Sequence, residues 1–188
     1  MATIDHSALG SGEIHEPKGV FSASSGEVYV ANGTGSGVWT PADSHIAGYI
    51  DFDATTPAYQ HSTTTSDTLL DPTFSVASSK NFSGATSPNA RLVYDGSANV
   101  FALTTFTASV KQASGGDKEL QIALAKNGTE IPGTRSIMTL ATNNWRTYAI
   151  STIVSLSTND YIEVLIKADA SHTTDFAGAN LTMNCFPG

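Results

Sequence analysis

Hydrophobic residues in the second half of the chain alternate with polar ones at a spacing of two. Leu120, Ile122 and Leu124 show this alternation within 119–126, and a second run of the same kind occupies 161–167. Side chains two apart on an extended strand share a face, so this spacing predicts half-buried β-strands. Apolar residues at helical spacing are missing, and we expect no helix.

Turn residues separate these runs at short intervals. Asn127-Gly128 is the strongest hairpin signal, because both residues tolerate the positive φ of a type I′ turn. Gly115-Gly116 and Thr158-Asn159-Asp160 mark two further turns. The predicted strands are Ile46–Phe52, Leu69–Val76, Arg91–Tyr94, Asn99–Lys111, Glu119–Lys126, Ser136–Leu140, Trp145–Leu156, Tyr161–Lys167 and Phe176–Phe186. So many short strands predict an all-β antiparallel sandwich of the jelly-roll kind over residues 46–188.

The strand within 99–111 departs from simple alternation. Phe101 and Leu103 lie on one parity and Phe106 on the other. If all three side chains face the core, the strand needs a β-bulge between Leu103 and Phe106.

Residues 1–45 differ from the rest of the chain. Glycine-rich turns separate a few apolar anchors, and Val28-Tyr29-Val30 is the only convincing short strand. So few buried side chains cannot offset the entropy of ordering the segment. We therefore predict an extended N-terminal arm that orders on neighbouring subunits. Its predicted partner-binding anchors are Val20, Phe21, Val28, Tyr29 and Trp39.

Charge is sparse and unevenly distributed. Only 14% of residues are charged, against about 25% in typical domains. Residues 1–79 hold nine acidic residues and one base, while 80–188 are balanced. Nucleic-acid binding requires clustered Lys and Arg, so we expect none. The acidic front suits either a basic partner surface or plain solubility.

Several features argue for folding in a reducing cytosol. Cys185 is the single cysteine, so no intrachain disulfide forms, and small apolar filler is its expected role. No apolar run approaches the ~20 residues of a membrane-spanning helix, and no leader opens the chain. We expect no membrane association, and synthesis in a host cytoplasm.

Catalytic and cofactor motifs are weak. The Gly33–Gly37 cluster lacks the lysine of a phosphate loop and precedes an extended stretch, so we expect no cofactor. Asp51 and Asp53 share one face of a strand, where a solvated rim is a simpler interpretation than a Ca²⁺ or acid–base pair. The five histidines show no metal-ligand spacing. They are His6, His15, His45, His61 and His172. The chain is predicted not to be an enzyme.

Aromatic residues offer a different kind of site. Tyr59, Trp145 and Tyr148 would suit a sugar-stacking platform if they were exposed. For Trp145, which begins an apolar alternating strand, packing in the core or a subunit interface is the stronger interpretation.

Two resemblances add to this picture. The words IHEPKGV and VYVANGTGSGVW resemble the N-terminal segment of small tailed-bacteriophage virion proteins. The succession NVFALTTFTASVKQ, LQIALAKNGTEIPG and WRTYAISTIVSLSTNDYIEVLIKAD resembles jelly rolls of the tumour-necrosis-factor (TNF) and complement-head type. The second resemblance covers roughly residues 90–188. It implies a TNF-like jelly roll that assembles as a homotrimer.

Together these observations predict a structural virion protein. In this hypothesis a trimeric capsid decoration protein, of cement or head-fibre type, is anchored by its arm to the major capsid protein or to fibre or tail base proteins. Its location would be the virion, on the capsid surface or in a fibre. The alternative is a receptor- or carbohydrate-binding module of a tail fibre or tailspike, with a host surface glycan as ligand. A hydrolase would need convergent carboxylates, which the sequence does not display.

Overall fold

The computed structural model describes residues 27–31, 37–41, 46–53, 59–79, 81–85 and 90–187. The chain divides into two compact units, residues 1–44 and 45–188. In the first unit, β1 (Glu27–Ala31) and β2 (Gly37–Pro41) pair as an antiparallel hairpin. The sequence pattern predicted the β1 strand and an extended stretch after Gly37, but not that the two pair. β2 contains glycine and proline, which have low strand propensity, so its residues carry only a weak strand signal. Pro41 is tolerated because it lies at the end of an edge strand.

The described part of the second unit is built entirely from strands and their connections. They are β3 (Ile46–Asp53), β4 (Tyr59–Thr63), β5 (Thr68–Leu69), β6 (Ser75–Ser79), β7 (Phe82–Ala85), β8 (Arg91–Tyr94), β9 (Val100–Gln112), β10 (Lys118–Lys126), β11 (Thr129–Glu130), β12 (Ser136–Leu140), β13 (Arg146–Leu156), β14 (Tyr161–Ala168) and β15 (His172–Pro187).

These strands form two antiparallel sheets. The seven-stranded sheet runs β11-β10-β14-β8-β7, with β12 also paired to β10 and β5 to β14. The six-stranded sheet runs β13-β9-β15-β3-β6, with β4 paired to β15. One hydrophobic core takes side chains from both sheets. Two stacked antiparallel sheets with this strand order are a jelly-roll sandwich, and the predicted fold class is confirmed.

The core follows the alternation seen in the sequence. Leu120, Ile122 and Leu124 of β10 are fully buried, and the alternating residues of the neighbouring strand β14 lie beside them on the same face of the sheet. Each such side chain removes enough apolar surface from water to contribute about 1.5–3 kcal/mol. The period-two prediction for β10 and β14 is therefore confirmed.

The predicted bulge in β9 is wrong. The β9–β13 pairing keeps one register from Val100 to Val110, without a shift. Phe106 is fully buried, while Phe101 is exposed and Leu103 is half-buried. The change of parity therefore reflects a strand with apolar residues on both faces. The six-stranded sheet has register shifts elsewhere, in β15 between Phe176 and Gly178 and in β3 between Tyr49 and Ile50.

Tyr148 joins the two sheets through the core. Its ring is buried on β13 of the six-stranded sheet, and its hydroxyl lies 3.0 Å from Leu120 O and 2.6 Å from Ser136 O. Both carbonyls belong to the seven-stranded sheet. Burial raises the pKa of Tyr148 to about 12, although hydrogen bonding opposes the shift. The side chain therefore stays a neutral donor at physiological pH.

The Asn127-Gly128 hairpin has the predicted geometry. Both residues have positive φ, 51° and 80°, as a type I′ turn requires. Asn127 Nδ2 donates to Asp160 Oδ1 at 2.6 Å, and Lys126 Nζ lies 2.7 Å from Asp160 Oδ2. Burial of Asp160 would raise its pKa, but these donors outweigh it and lower the pKa. The carboxylate thus links two neighbouring turns.

The segment between β3 and β8 was the least predictable. The predicted strands include one at 69–76 and none between Phe52 and Leu69. The structure instead has β4 paired to β15, and strand residues at 68–69 and 75–79. Threonine and serine dominate here, so alternation gave little signal and tertiary pairing decided the structure.

Candidate functional site

The solvent-facing side of the six-stranded sheet, called the outer face below, is the candidate site. On β9, residues of even number from 100 to 110 are buried against the core, and odd-numbered residues point away from it. Register with β13, β15 and β3 places the outward residues in rows across the sheet. The outer face changes from apolar at one end to polar at the other.

The apolar end of the outer face is formed by Phe101, Leu103, Ile153 and Phe186. Phe186 pairs with Phe101 across β15 and β9, and Ile153 pairs with Leu103 across β13 and β9. Phe101, Phe186 and Ile153 are 54%, 50% and 63% exposed. Adjacent exposed large apolar side chains of this kind mark an interaction surface more often than single ones do.

The middle of the outer face is lined by small polar side chains. Thr105 pairs with Ser151 on one side and with Thr182 on the other, and Thr105 Oγ1 lies 3.2 Å from Ser151 Oγ. Cross-strand hydroxyl pairs of this kind contribute modestly to the pairing of neighbouring strands.

The polar end of the outer face is a connected row of four side chains. Lys111 Nζ lies 4.9 Å from the centre of the Trp145 ring and 3.5 Å from Asp175 Oδ2. Gln60 Nε2 donates to Asp175 Oδ1 at 3.0 Å. Each member of the row contacts the next, and an exposed indole lies at its end.

A groove of about 390 Å³ lies between the polar row and the middle of the outer face. Its lining combines hydroxyl side chains, one carboxylate and one amide with apolar residues. The lining residues are Asp51, Phe52, Thr107, Ala108, Ser109, Thr147, Gly178, Ala179 and Asn180. Asp51 Oδ1 is buried and has no hydrogen-bond partner.

The structure corrects two aromatic predictions. Trp145 does not pack in the core: it precedes β13 and is 41% exposed. Tyr148 is excluded from a sugar platform because it is buried and its hydroxyl is occupied by backbone carbonyls. Tyr59 is half-buried against Phe52 and Phe176.

Asp51 and Asp53 share the outer face as predicted, paired with Asn180 and Gly178.

The predicted arm anchors are only partly described. Val20 and Phe21 lie outside the described residues. Val28 and Trp39 belong to β1 and β2, and Tyr29, which is half-buried, pairs with Trp39 in the hairpin register. Their role in partner binding stays a prediction.

Two histidines and the cysteine of the second unit do not form a reactive site. His61 and His172 make hydrogen bonds within the fold, and Cys185 is buried in the core. His61 Nε2 lies 2.9 Å from Thr68 Oγ1, and burial lowers the pKa of this imidazole although Asp71 opposes the shift. His172 Nδ1 donates to Ala170 O at 3.0 Å. Burial raises the pKa of Cys185 to about 11, so the thiol is a poor nucleophile.

Glu163 is the most deeply buried carboxylate of the described strands. Arg91 lies 3.8 Å away and stacks 4.2 Å above the Tyr161 ring. Burial raises the pKa of Glu163, and Arg91 offsets only part of that effect.

Among the described residues, no group of three or more His, Cys, Asp or Glu side chains is placed to hold a metal ion. That part of the chain also contains no helix long and apolar enough to cross a membrane.

Comparison with known proteins identifies the fold. No protein-family model and no curated protein sequence matches this chain. Eiger, a TNF protein of S. frugiperda, superimposes with a TM-score of 0.51 at 9% identity, over 76% of this chain and 93% of that one. Murine APRIL, solved at pH 5.0, gives a TM-score of 0.48 at 10% identity, over 76% of this chain and 99% of that one.

The class of structure is therefore an antiparallel jelly roll of the TNF type. The predicted resemblance of residues 90–188 to that fold is confirmed. The resemblance of the N-terminal words to bacteriophage virion proteins is not tested by these comparisons and stays a prediction.

Proposed function

We propose that this chain is a non-enzymatic structural protein that self-associates as a homotrimer through the apolar end of its outer face. The observation that carries the proposal is the cluster of Phe101, Leu103, Ile153 and Phe186 on one exposed sheet surface. Covering the exposed half of each large side chain would contribute about 1 kcal/mol per side chain. A threefold assembly repeats that contribution at three interfaces.

The trimer is proposed to serve as a capsid decoration protein, of cement or head-fibre type, in a tailed-bacteriophage virion. Support comes from the N-terminal words, which resemble virion proteins, and from the low charge of the whole chain. The predicted anchors Val20, Phe21, Val28, Tyr29 and Trp39 would bind the major capsid protein or a fibre or tail base protein. Three arms per trimer raise the effective concentration of each arm at the particle surface.

The chain itself provides a matched pair of variants for the self-association test. Ile153 and Ile137 are exposed to a similar degree, 63% and 59%, but lie on different sheets. Ile153→Asp places a charge in the proposed contact, where burying it is costly, whereas Ile137→Asp does not. Light scattering after size-exclusion chromatography should give three chain masses for the wild type and Ile137→Asp, and one for Ile153→Asp. A monomeric wild type, or two variants of equal mass, contradicts the proposal.

Location on the particle needs a separate measurement. Quantitative mass spectrometry of purified virions should find the protein in many copies, in a fixed ratio to the major capsid protein. Its absence from virions, or its presence in only a few copies, contradicts the decoration role and leaves the self-association result standing.

A further inference from the structure

The outer-face groove offers a set of hydrogen-bonding groups that the fold does not use fully. Asp51 forms part of its wall, and Asp51 Oδ1 lacks a partner. Asn180 lies beside it on β15, and Asn180 Oδ1 accepts from Thr182 Oγ1, which leaves the amide nitrogen as a donor. A carboxylate acceptor next to an amide donor suits a vicinal pair of ligand hydroxyls.

Hydroxyl side chains complete the lining. Thr107 and Ser109 follow one another on the outward face of β9, and Thr147 pairs with Ser109 from β13. Each hydroxyl can donate or accept, so this wall adapts to another hydroxylated molecule. Gly178 contributes no side chain, which leaves the groove open at that point.

Trp145 supplies an aromatic surface beside the groove. It lies just before β13, and its ring contacts Lys111, an outward residue of β9, so the indole lies at the outer face of the sheet. Lys111 holds the indole in place while 41% of the residue stays exposed. An exposed indole near a groove that contains several hydroxyl side chains suits a ligand with apolar ring faces and hydroxyl groups.

The local charge selects among such ligands. The lining contains one carboxylate and no cation. Lys111, the cation of the neighbouring row, is paired with Asp175. A phosphate, sulfate, sialic acid or uronate would meet the Asp51 carboxylate without a compensating charge. Uncharged ligands are therefore favoured.

We propose that the outer-face groove binds a neutral oligosaccharide, with one sugar ring against Trp145 and adjacent hydroxyls of another ring hydrogen bonded to Asp51 and Asn180. The groove lies about 20 Å along β9 from Phe101, six residues at about 3.3 Å each. Saccharide binding therefore does not depend on self-association through the apolar end.

The probe is an array of immobilised oligosaccharides, neutral hexose and N-acetylhexosamine chains beside sialylated and uronate chains. We expect the full-length protein to bind members of the neutral set. Titration calorimetry with the best-bound free oligosaccharide then gives a dissociation constant per site. An array without signal, or signal confined to acidic chains, overturns the proposal.

Point variants locate the site. Trp145→Ala and Asp51→Asn should each weaken binding about tenfold or more, because each removes a central contact. Asp53→Asn is the matched control, since this exposed carboxylate shares the outer face but not the groove lining. Equal affinities for all variants would place the ligand elsewhere. Loss of binding on adding EDTA would assign Asp51 to a cation, and would equally overturn the proposal.

Discussion

Replacing Tyr148 with phenylalanine deletes a hydroxyl that joins the two sheets and leaves the buried ring in place. The hydroxyl contacts Leu120 O and Ser136 O but has a single proton, so the two contacts share one donor. The expected loss is therefore about 1–2 kcal/mol of unfolding free energy, the range of one buried hydrogen bond plus incompletely satisfied carbonyls. Tyr148→Ala, which also leaves a cavity, should cost about 3–5 kcal/mol.

The raised pKa of Tyr148 predicts how its contribution to the free energy of unfolding changes with pH. The pKa of Tyr148 is about 12 in the folded chain and 10.0 as its ordinary value. Above pH 10.0 the unfolded chain loses this proton while the folded chain keeps it. The stability contributed by Tyr148 is thus fully present below pH 10.0 and is lost as the pH rises towards 12. The gap between wild type and Tyr148→Phe should narrow over that window.

Urea unfolding and thermal unfolding, each followed by far-ultraviolet circular dichroism, measure these effects. At about pH 8 the melting temperature of Tyr148→Phe should fall by about 3–6 °C, with the denaturant slope unchanged. A loss below about 0.5 kcal/mol would refute the proposed link between the sheets. Parallel pH profiles for the two proteins would refute the cause given for the raised pKa.

Three further predictions concern buried groups. Arg91→Met should destabilise the fold more than Glu163→Gln does at neutral pH, because it leaves the buried carboxylate unpaired; equal losses in urea unfolding would contradict this. Wild-type stability should fall as the pH drops below 6.5 through the lowered pKa of His61, and His61→Gln should flatten that fall; superimposable profiles would exclude His61 as the cause. Cys185 should react slowly with a thiol reagent at about pH 8 until denaturant is added; fast labelling of the native protein would show that the thiol is accessible.

The strands that sequence predicted well share a physical property. In β10 and β14 the core-facing residues are large aliphatic ones, so alternation carries the structural information, although Ala123, Ala125 and Glu163 on the other face are also buried. The hairpin at Asn127-Gly128 was equally predictable, because few residue pairs accept two positive φ angles. Strands such as β4 and β6, rich in Ser and Thr, are set by pairing with distant segments, which local pattern does not reveal.

The candidate site was harder to predict because its main evidence resembles core packing. Phe101 and Leu103 looked like core residues displaced by a bulge, whereas they lie on the outer face of a regular strand. Trp145 likewise seemed to begin an apolar run and proved to be exposed. The available signal was that β9 and β13 carry apolar residues at both odd and even positions. One face of such a strand packs in the core, and the other is an exposed apolar face that a partner can cover.

Two kinds of binding measurement should distinguish the role of the apolar end of the outer face from that of the groove. If trimers present three grooves, an array of immobilised saccharide reports multivalent binding, whereas calorimetry with free saccharide reports each site alone. Ile153→Asp should therefore weaken the array signal strongly and leave the dissociation constant per site unchanged. Trp145→Ala should weaken both. The two sites are about 13 Å or more apart along the strands, so their effects on the per-site constant should add. A changed per-site constant in Ile153→Asp would show that the groove is completed by a neighbouring subunit, and that assembly and ligand binding are one function.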